Sequence, residues 1–272
     1  MTEPRLTSLY ISHGGGPLPL LGDPAHAELV QTLRELAGRM PRPDAIVVVS
    51  AHWEAEVATV TASAAPELFY DYYGFPEESY RIAYPAPGDP GLAALIRGQL
   101  QARGLQAEGD SSRGFDHGLF VPLKLMYPMA DIPCVQVSLL SSLDARAHLD
   151  LGQALSGIAG AAGRNILLLG SGSSFHNLQA FFGSKDADIY SRNQGFESWL
   201  EHTLTAASLA ESERFHRLVH WELAPHGRYC HPREEHLLPL HVCYGAMRRP
   251  AEYRAGFRMM GMQGSCYLWL DA

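Results

Sequence analysis

Short β-branched and apolar runs alternate with stretches of helical period along almost the whole chain, and this alternation constrains the fold most. It is the pattern of a mostly parallel sheet with helices on its faces. Leu9-Tyr10-Ile11 opens as a strand, and Asp23-Pro24 sets a capping residue ahead of a proline suited to a first helical position. Ala25, Leu29, Leu33, Leu36, Ala37 and Met40 follow as a one-sided apolar stripe. Ile46 to Val49 is a continuous apolar run, as a strand buried on both faces requires, and Val57 to Ala62 continues the sheet. Further strands are expected at Val135 to Leu139, Ile166 to Leu169 and Tyr267 to Leu270. Further helices are expected around Leu92 to Leu100, over His117 to Tyr127 with a bend at Pro122, over Ala147 to Ile158, Ile189 to Leu204 and Glu235 to Met247.

No internal repeat, low-complexity tract or Gly/Pro/Ser-rich linker interrupts this order, so we expect one α/β domain over residues 1–272. Its sheet is central, mostly parallel but mixed, with helices on both faces. The stretch Glu67 to Pro90 departs from the pattern: Phe69, Tyr70, Tyr72, Tyr73, Phe75, Tyr80 and Tyr84 lie among prolines and glycines. It reads as a long ordered loop acting as a lid, a pocket wall or a subunit contact, or simply capping the edge of the core.

Composition excludes several classes. At 46% hydrophobic and 18% charged, 272 residues can bury a substantial core. A net charge of −8, from 29 acidic against 21 basic residues, argues against nucleic acid as a partner. No apolar run reaches the roughly 18 to 20 residues that span a bilayer, and Met1 to Gly16 lacks the pattern of a secretory signal. The expectation is a soluble cytoplasmic protein without a membrane partner. Four scattered cysteines form neither a zinc knuckle nor a disulfide scaffold, so reduced thiols are expected.

Thirteen histidines stand out, because imidazole is the commonest metal ligand. In open α/β sheets ligands collect beyond the carboxyl ends of the strands, and three histidines fall there. His13 follows the first strand in Ser12-His13-Gly14-Gly15-Gly16, His52 follows the second in Ser50-Ala51-His52-Trp53, and His176 ends the loop from Gly170. A fourth, His236, lies in His231-Pro232-Arg233-Glu234-Glu235-His236-Leu237-Leu238-Pro239-Leu240. A helix starting near Pro232, short or kinked at Pro239, would help keep that imidazole neutral. Each histidine alone reads more readily as a hydrogen-bonded structural residue than as a ligand; four together favour a site. His117, between Gly114 and Gly118, either caps backbone or faces the site. His26, His148, His202, His216 and His220 read as surface residues, and His226, His231 and His241 are ambiguous. The glycine clusters fit neither a serine hydrolase, since no Gly-x-Ser-x-Gly elbow is present, nor a nucleotide loop. They are expected to let backbone pass close to an ion or substrate.

Taken together, Ser12-His13-Gly14, Ser50-Ala51-His52-Trp53, Tyr84-Pro85-Ala86-Pro87-Gly88, Gly114-Phe115-Asp116-His117-Gly118, His176-Asn177-Leu178 and the His231 to Leu240 segment resemble the class III extradiol ring-cleavage dioxygenases of LigB type, in the 4,5-DOPA dioxygenase branch. The matches keep the family's order from residue 9 to about 246. The resemblance implies one catalytic domain that cleaves a DOPA-like catechol ring with dioxygen at a mononuclear non-haem metal. It implies His13, His52 and His236 as metal ligands, His176 as acid/base, His117 as a substrate-facing histidine, and Tyr72 and Tyr73 as candidates for contact with the ring. Other members use two histidines and a glutamate; histidine at position 236 suits Fe2+ and Zn2+ alike, and turnover with dioxygen favours Fe2+. A zinc hydrolase on the same histidines, or a non-catalytic metal-binding relative, are the alternatives, and association into a homo-oligomer is left open.

Overall fold

The computed structural model describes residues 3–183 and 187–270. Eight strands form one sheet in the order β4-β3-β5-β2-β6-β1-β8-β7. They are β1 (Leu6–Ser12), β2 (Ala45–Ala55), β3 (Ala58–Thr61), β4 (Ala107–Asp110), β5 (Cys134–Leu140), β6 (Ile166–Gly172), β7 (Tyr253–Met259) and β8 (Met262–Trp269). The four central strands, β5, β2, β6 and β1, run parallel. β3 and β8 attach antiparallel at either side, so the sheet is mixed as expected. Ile46, Val47, Val48 and Val49 are buried, as are Leu167, Leu168 and Leu169. Burial of each such side chain contributes roughly 1.5–3 kcal/mol, and this is why continuous apolar runs mark the centre of the sheet.

The helices are α1 (Ala27–Arg39), α2 (Pro90–Ala102), α3 (His117–Met126), α4 (Ala145–Leu155), α5 (Ile158–Ala162), α6 (Leu178–Phe182), α7 (Ala187–Thr205), α8 (Glu211–Val219), α9 (Gly227–Cys230) and α10 (Leu238–Met247). They cover both faces of the sheet, and neighbouring residues of β6 show it. A Cβ on Gly170 would meet Cys243 and the Pro239 carbonyl of α10, whereas the next residue, Ser171, turns its hydroxyl to Gly118 of α3 on the other side.

Several local expectations need correction. Asp23-Pro24 begins a 3-10 turn, with α1 starting only at Ala27, because the Asp23 carboxylate binds His26 Nδ1 at 2.5 Å and caps nothing. No helix starts near Pro232: α10 begins at Leu238 and Pro239 sits in its first turn, where the missing N–H costs little and produces no kink. β4 and β7 form in addition to the strands expected from the sequence. His26 and His148, read as surface residues, are fully buried. His26 Nε2 accepts from Gly15 N at 3.0 Å, and His148 Nε2 from Leu140 N at 3.1 Å. Both imidazoles thus satisfy loop and strand-end backbone, which explains why they are inside.

Candidate metal centre and active site

The site forms where β1, β2 and β6 end side by side. His13 follows β1 directly, its N–H bonded to Gly172 O at 3.1 Å. His52 lies inside β2 instead of after it: the pairing of β2 with β5 shifts register between Val49 and Glu54, and such an irregularity re-aims side chains. His117 is the first residue of α3. The start of that helix is held by the buried Asp116 carboxylate, which accepts from Ser50 Oγ at 2.8 Å and from the Gln136 amide. His176 lies in the loop between β6 and α6, its N–H bonded to Cys230 O at 3.0 Å. His236 is placed by its own carbonyl, which accepts from Tyr10 OH and Ser173 N, both at 2.9 Å.

Five imidazoles converge. The His13–His52, His13–His236 and His52–His236 ring centroids are 4.8, 5.2 and 5.0 Å apart, a nearly equilateral triangle. His117 lies 3.9 Å from His52 and 5.2 Å from His13, and His176 stacks on His236 at 3.4 Å and 14°. Two sets of side chains bring potential ligand atoms within 4.8 Å of one another: His13, His52 and His117, and His176, Glu235 and His236. The trio expected from the sequence spans both sets. His117 therefore stands closer than a distant substrate contact would.

Three groups missed in the sequence fix how the rings face. Pro122 cannot donate to Gly118 O four residues earlier, and that freed carbonyl accepts the Ser171 hydroxyl at 2.5 Å. The Ser171 proton being spent there, Ser171 Oγ accepts from His13 Nδ1 at 3.0 Å. Glu235 Oε1 accepts from His236 Nδ1 at 2.9 Å and lies 3.3 Å from His176 Nδ1. Asp71 Oδ1 accepts from His117 Nδ1 at 2.8 Å, while Oδ2 lies 3.5 Å from His52 Nδ1. Asp71 is the one charge in a run of tyrosines, Tyr70-Asp71-Tyr72-Tyr73, and this was the available signal for it.

The electrostatics favour neutral imidazoles. Burial, reinforced by repulsion from neighbouring histidines, holds His13 and His52 well below the ordinary histidine range. His236 is pushed down to about 3 by burial and by His176, against the opposing pull of Glu235. Burial alone would raise the Glu235 carboxyl, but its hydrogen bonds with His176 and His236 outweigh that and keep it ionised. Only neutral imidazole ligates a metal. His13 Nε2 and His52 Nε2 face each other at 3.0 Å, which is the separation of two ligand nitrogens placed at right angles about 2.1 Å from one cation. The donor set fits a divalent transition metal.

The mouth of the site is a cleft of about 310 Å³ bordered by His176, Leu178, Pro232 and Arg233. Arg233 also holds Glu54 through two 2.7 Å contacts. A larger cleft of 520 Å³ between α1 and α3 has no histidine in its lining. From the Glu67 to Pro90 loop, Tyr72 packs its ring edge on His117 at 5.8 Å with its hydroxyl committed to Ser79 O, and Tyr73 is 91% exposed. The triglycine turn answers to protein: a Cβ on Gly14, at φ +88°, would lie 2.5 Å from Pro19. The expectation that these glycines make room for a ligand is thus replaced by close packing of the chain on itself.

Residues 7–267 match the family described as the catalytic LigB subunit of aromatic ring-opening dioxygenase. The chain belongs to the LigB family. A LigB chain is an oxidoreductase that opens an aromatic ring with dioxygen, so a small aromatic molecule and dioxygen are its reactants. Over 266 residues, covering 90% of this chain and 79% of the relative, it is 40% identical to the dioxygenase tasH of Hapsidospora irregularis. It is 35% identical over 246 residues to the 4,5-DOPA dioxygenase extradiol of Escherichia coli, covering 90% and 87% of the two chains, and 37% identical over 241 residues to that of Beta vulgaris, covering 88% and 86%. The crystal structure of an uncharacterized protein from Escherichia coli K12 superposes with a TM-score of 0.75 at 31% identity, covering 97% of this LigB chain and 99% of that one. Among the described residues no helix is long and apolar enough to cross a membrane.

Proposed function

We propose that this LigB enzyme performs extradiol cleavage of a catechol of DOPA-like type, giving a ring-opened semialdehyde acid, with Fe2+ held by His13, His52 and His236. The observation that carries the reading is the pair of facing Nε2 atoms of His13 and His52, 3.0 Å apart on rings held neutral by burial, with His236 completing the triangle. Ferrous iron supplies what zinc lacks, an electron to share with dioxygen, together with positive charge that favours loss of the catechol protons. The relatives named as 4,5-DOPA dioxygenases support the choice of substrate class.

The protein's own groups handle protons and orientation. His176 turns Nδ1 to the Glu235 carboxylate, leaving Nε2 to take a catechol hydroxyl proton and later return it to the leaving oxygen, a task for which imidazole is suited. His117, steadied by Asp71 and by the ring of Tyr72, orients the aromatic ring. Four free, buried thiols support a reducing cytoplasmic setting.

The test is to reconstitute metal-free protein in the absence of air with ferrous or zinc ions, add a panel of catechols with dioxygen, and follow oxygen uptake and yellow semialdehyde. Yellow product with iron alone is expected. Oxygen-independent turnover with zinc, or no product from any catechol with either ion, would overturn the proposal.

A further inference from the structure

We propose that Asp71 and Glu235 are positioning residues, each a carboxylate shared between one imidazole of the metal set and one imidazole facing substrate. The inference rests on His13, His52 and His236 being the metal set. Asp71 Oδ1 accepts from both the backbone N–H of His117, at 3.0 Å, and its Nδ1, at 2.8 Å. Asp71 Oδ2 is buried, has no hydrogen bond of its own, and stands 3.5 Å from His52 Nδ1. On the opposite wall Glu235 Oε1 binds His236 Nδ1 at 2.9 Å and stands 3.3 Å from His176 Nδ1, and the two rings lie flat on one another. The arrangement is thus repeated: one carboxylate, one metal-set histidine, one substrate-side histidine.

An ionised carboxylate offers lone pairs only, so the imidazole nitrogen turned to it must carry the ring proton. That places the proton of His52, His117, His176 and His236 on Nδ1 and the lone pair on Nε2. Ser171 does the same for His13, since its own proton goes to Gly118 O. The two carboxylates also place two negative charges just behind an all-imidazole set, where a glutamate ligand would have supplied one directly. A divalent cation is then balanced without occupying a coordination position, and outer carboxylates of this kind raise the basicity of the imidazoles they hold.

Asp71→Asn and Glu235→Gln keep shape and remove charge. In Asp71→Asn the amide oxygen can stay on His117, which turns the amide NH2, a donor, toward His52 Nδ1 and drives the His52 proton to Nε2. Two measurements test this. Competition against a chromophoric chelator should show Zn2+ and Fe2+ affinities 10- to 100-fold weaker in each variant. Nitrogen-15 shifts of labelled imidazoles in the metal-free protein should show Nδ1–H rings in the wild type and an Nε2–H ring at His52 in Asp71→Asn. Affinities within twofold of wild type, or Nε2–H rings in the wild-type metal-free protein, would overturn the assignment. The wild-type spectrum needs neither a variant nor a metal, so a misfolded variant does not blunt it. Wild-type protein that binds neither ion would refute the proposed function, while the ring spectrum would still decide for or against the carboxylates.

Discussion

Replacing Gly172 by alanine should move a metal ligand without touching it. Gly172 ends β6, and a Cβ there would lie 2.0 Å from the carbonyl oxygen of His236, where real Cβ contacts keep 3.0 Å or more. About 1 Å of displacement must be found. It cannot be taken up by a flexible side-chain tip, because the oxygen is backbone and is pinned by Tyr10 OH and Ser173 N at 2.9 Å each. The path of the chain through residue 236 therefore shifts or those two hydrogen bonds break. Overpacking of this kind costs roughly 1–3 kcal/mol, and a misplacement near 1 Å at a reacting centre lowers turnover on the order of a hundredfold. Gly98→Ala is the control: it lies in α2 with nothing within 4 Å of the added methyl, and should stabilise by up to about 1 kcal/mol. Denaturant unfolding, metal affinity and catechol turnover would be compared across the three proteins. Gly172→Ala with wild-type metal affinity and turnover would show that His236 does not depend on this contact, and the packing argument would be wrong.

The roles proposed for two histidines separate by metal content: His176→Ala should retain the metal and lose turnover by roughly a hundredfold or more, whereas His52→Ala should lose the metal itself. Elemental analysis beside kinetics checks this, and metal loss in both variants or in neither would contradict the assignment. His148 gives a stability prediction away from the site. Burial holds it down to about 4 against an ordinary 6.5, its bond to the Asp144 carbonyl opposing only in part, so between those values the unfolded chain binds a proton that the native protein refuses. Stability is then full above pH 6.5 and falls as the pH drops toward 4, by about 3 kcal/mol for this group. Unfolding free energies of wild type and His148→Gln at pH 7 and pH 5 isolate the effect, and equal pH slopes in the two proteins would exclude it.

What the sequence made legible follows from which forces leave local traces. The central strands were readable because burial on both faces demands the unbroken runs Ile46 to Val49 and Ile166 to Leu169. β4, Ala107-Glu108-Gly109-Asp110, has no β-branched residue and exists only because β3 offers it an edge; β7 is likewise an edge strand, interrupted by Gly256 and partly exposed. Neither carries a pattern of its own. His13 was legible by place, directly after a strand, and His176 in the loop beyond one, whereas His52 falls inside β2 and the helix start expected beside His236 lies at Leu238. The partners of these rings were not legible. Asp71 approaches His117 and His52 from a loop with no period, and Ser171, on β6, acts through the Gly118 carbonyl of helix α3. His26 and His148 looked like polar surface because a buried imidazole satisfied by backbone has the same local sequence as an exposed one.

The least local of these links ties sheet register to the choice of ring nitrogen. A proline inside a helix ordinarily costs about 3 kcal/mol, in part through the carbonyl it leaves unpaired; in α3 the carbonyl freed by Pro122 is the one that takes the Ser171 proton. Ser171 can reach it because β6 pairs with β1 and β2 so that Ser171 lies opposite both Ile11 and Ser50, two residues short of His13 and His52. Sliding β6 by one residue would put Gly170 or Gly172 there and turn the Ser171 hydroxyl to the α10 face. His13 would lose the acceptor that keeps its proton on Nδ1, and Gly118 O would be left bare beneath the site. The apolar matching that holds four parallel strands in register is therefore also what aims the His13 lone pair.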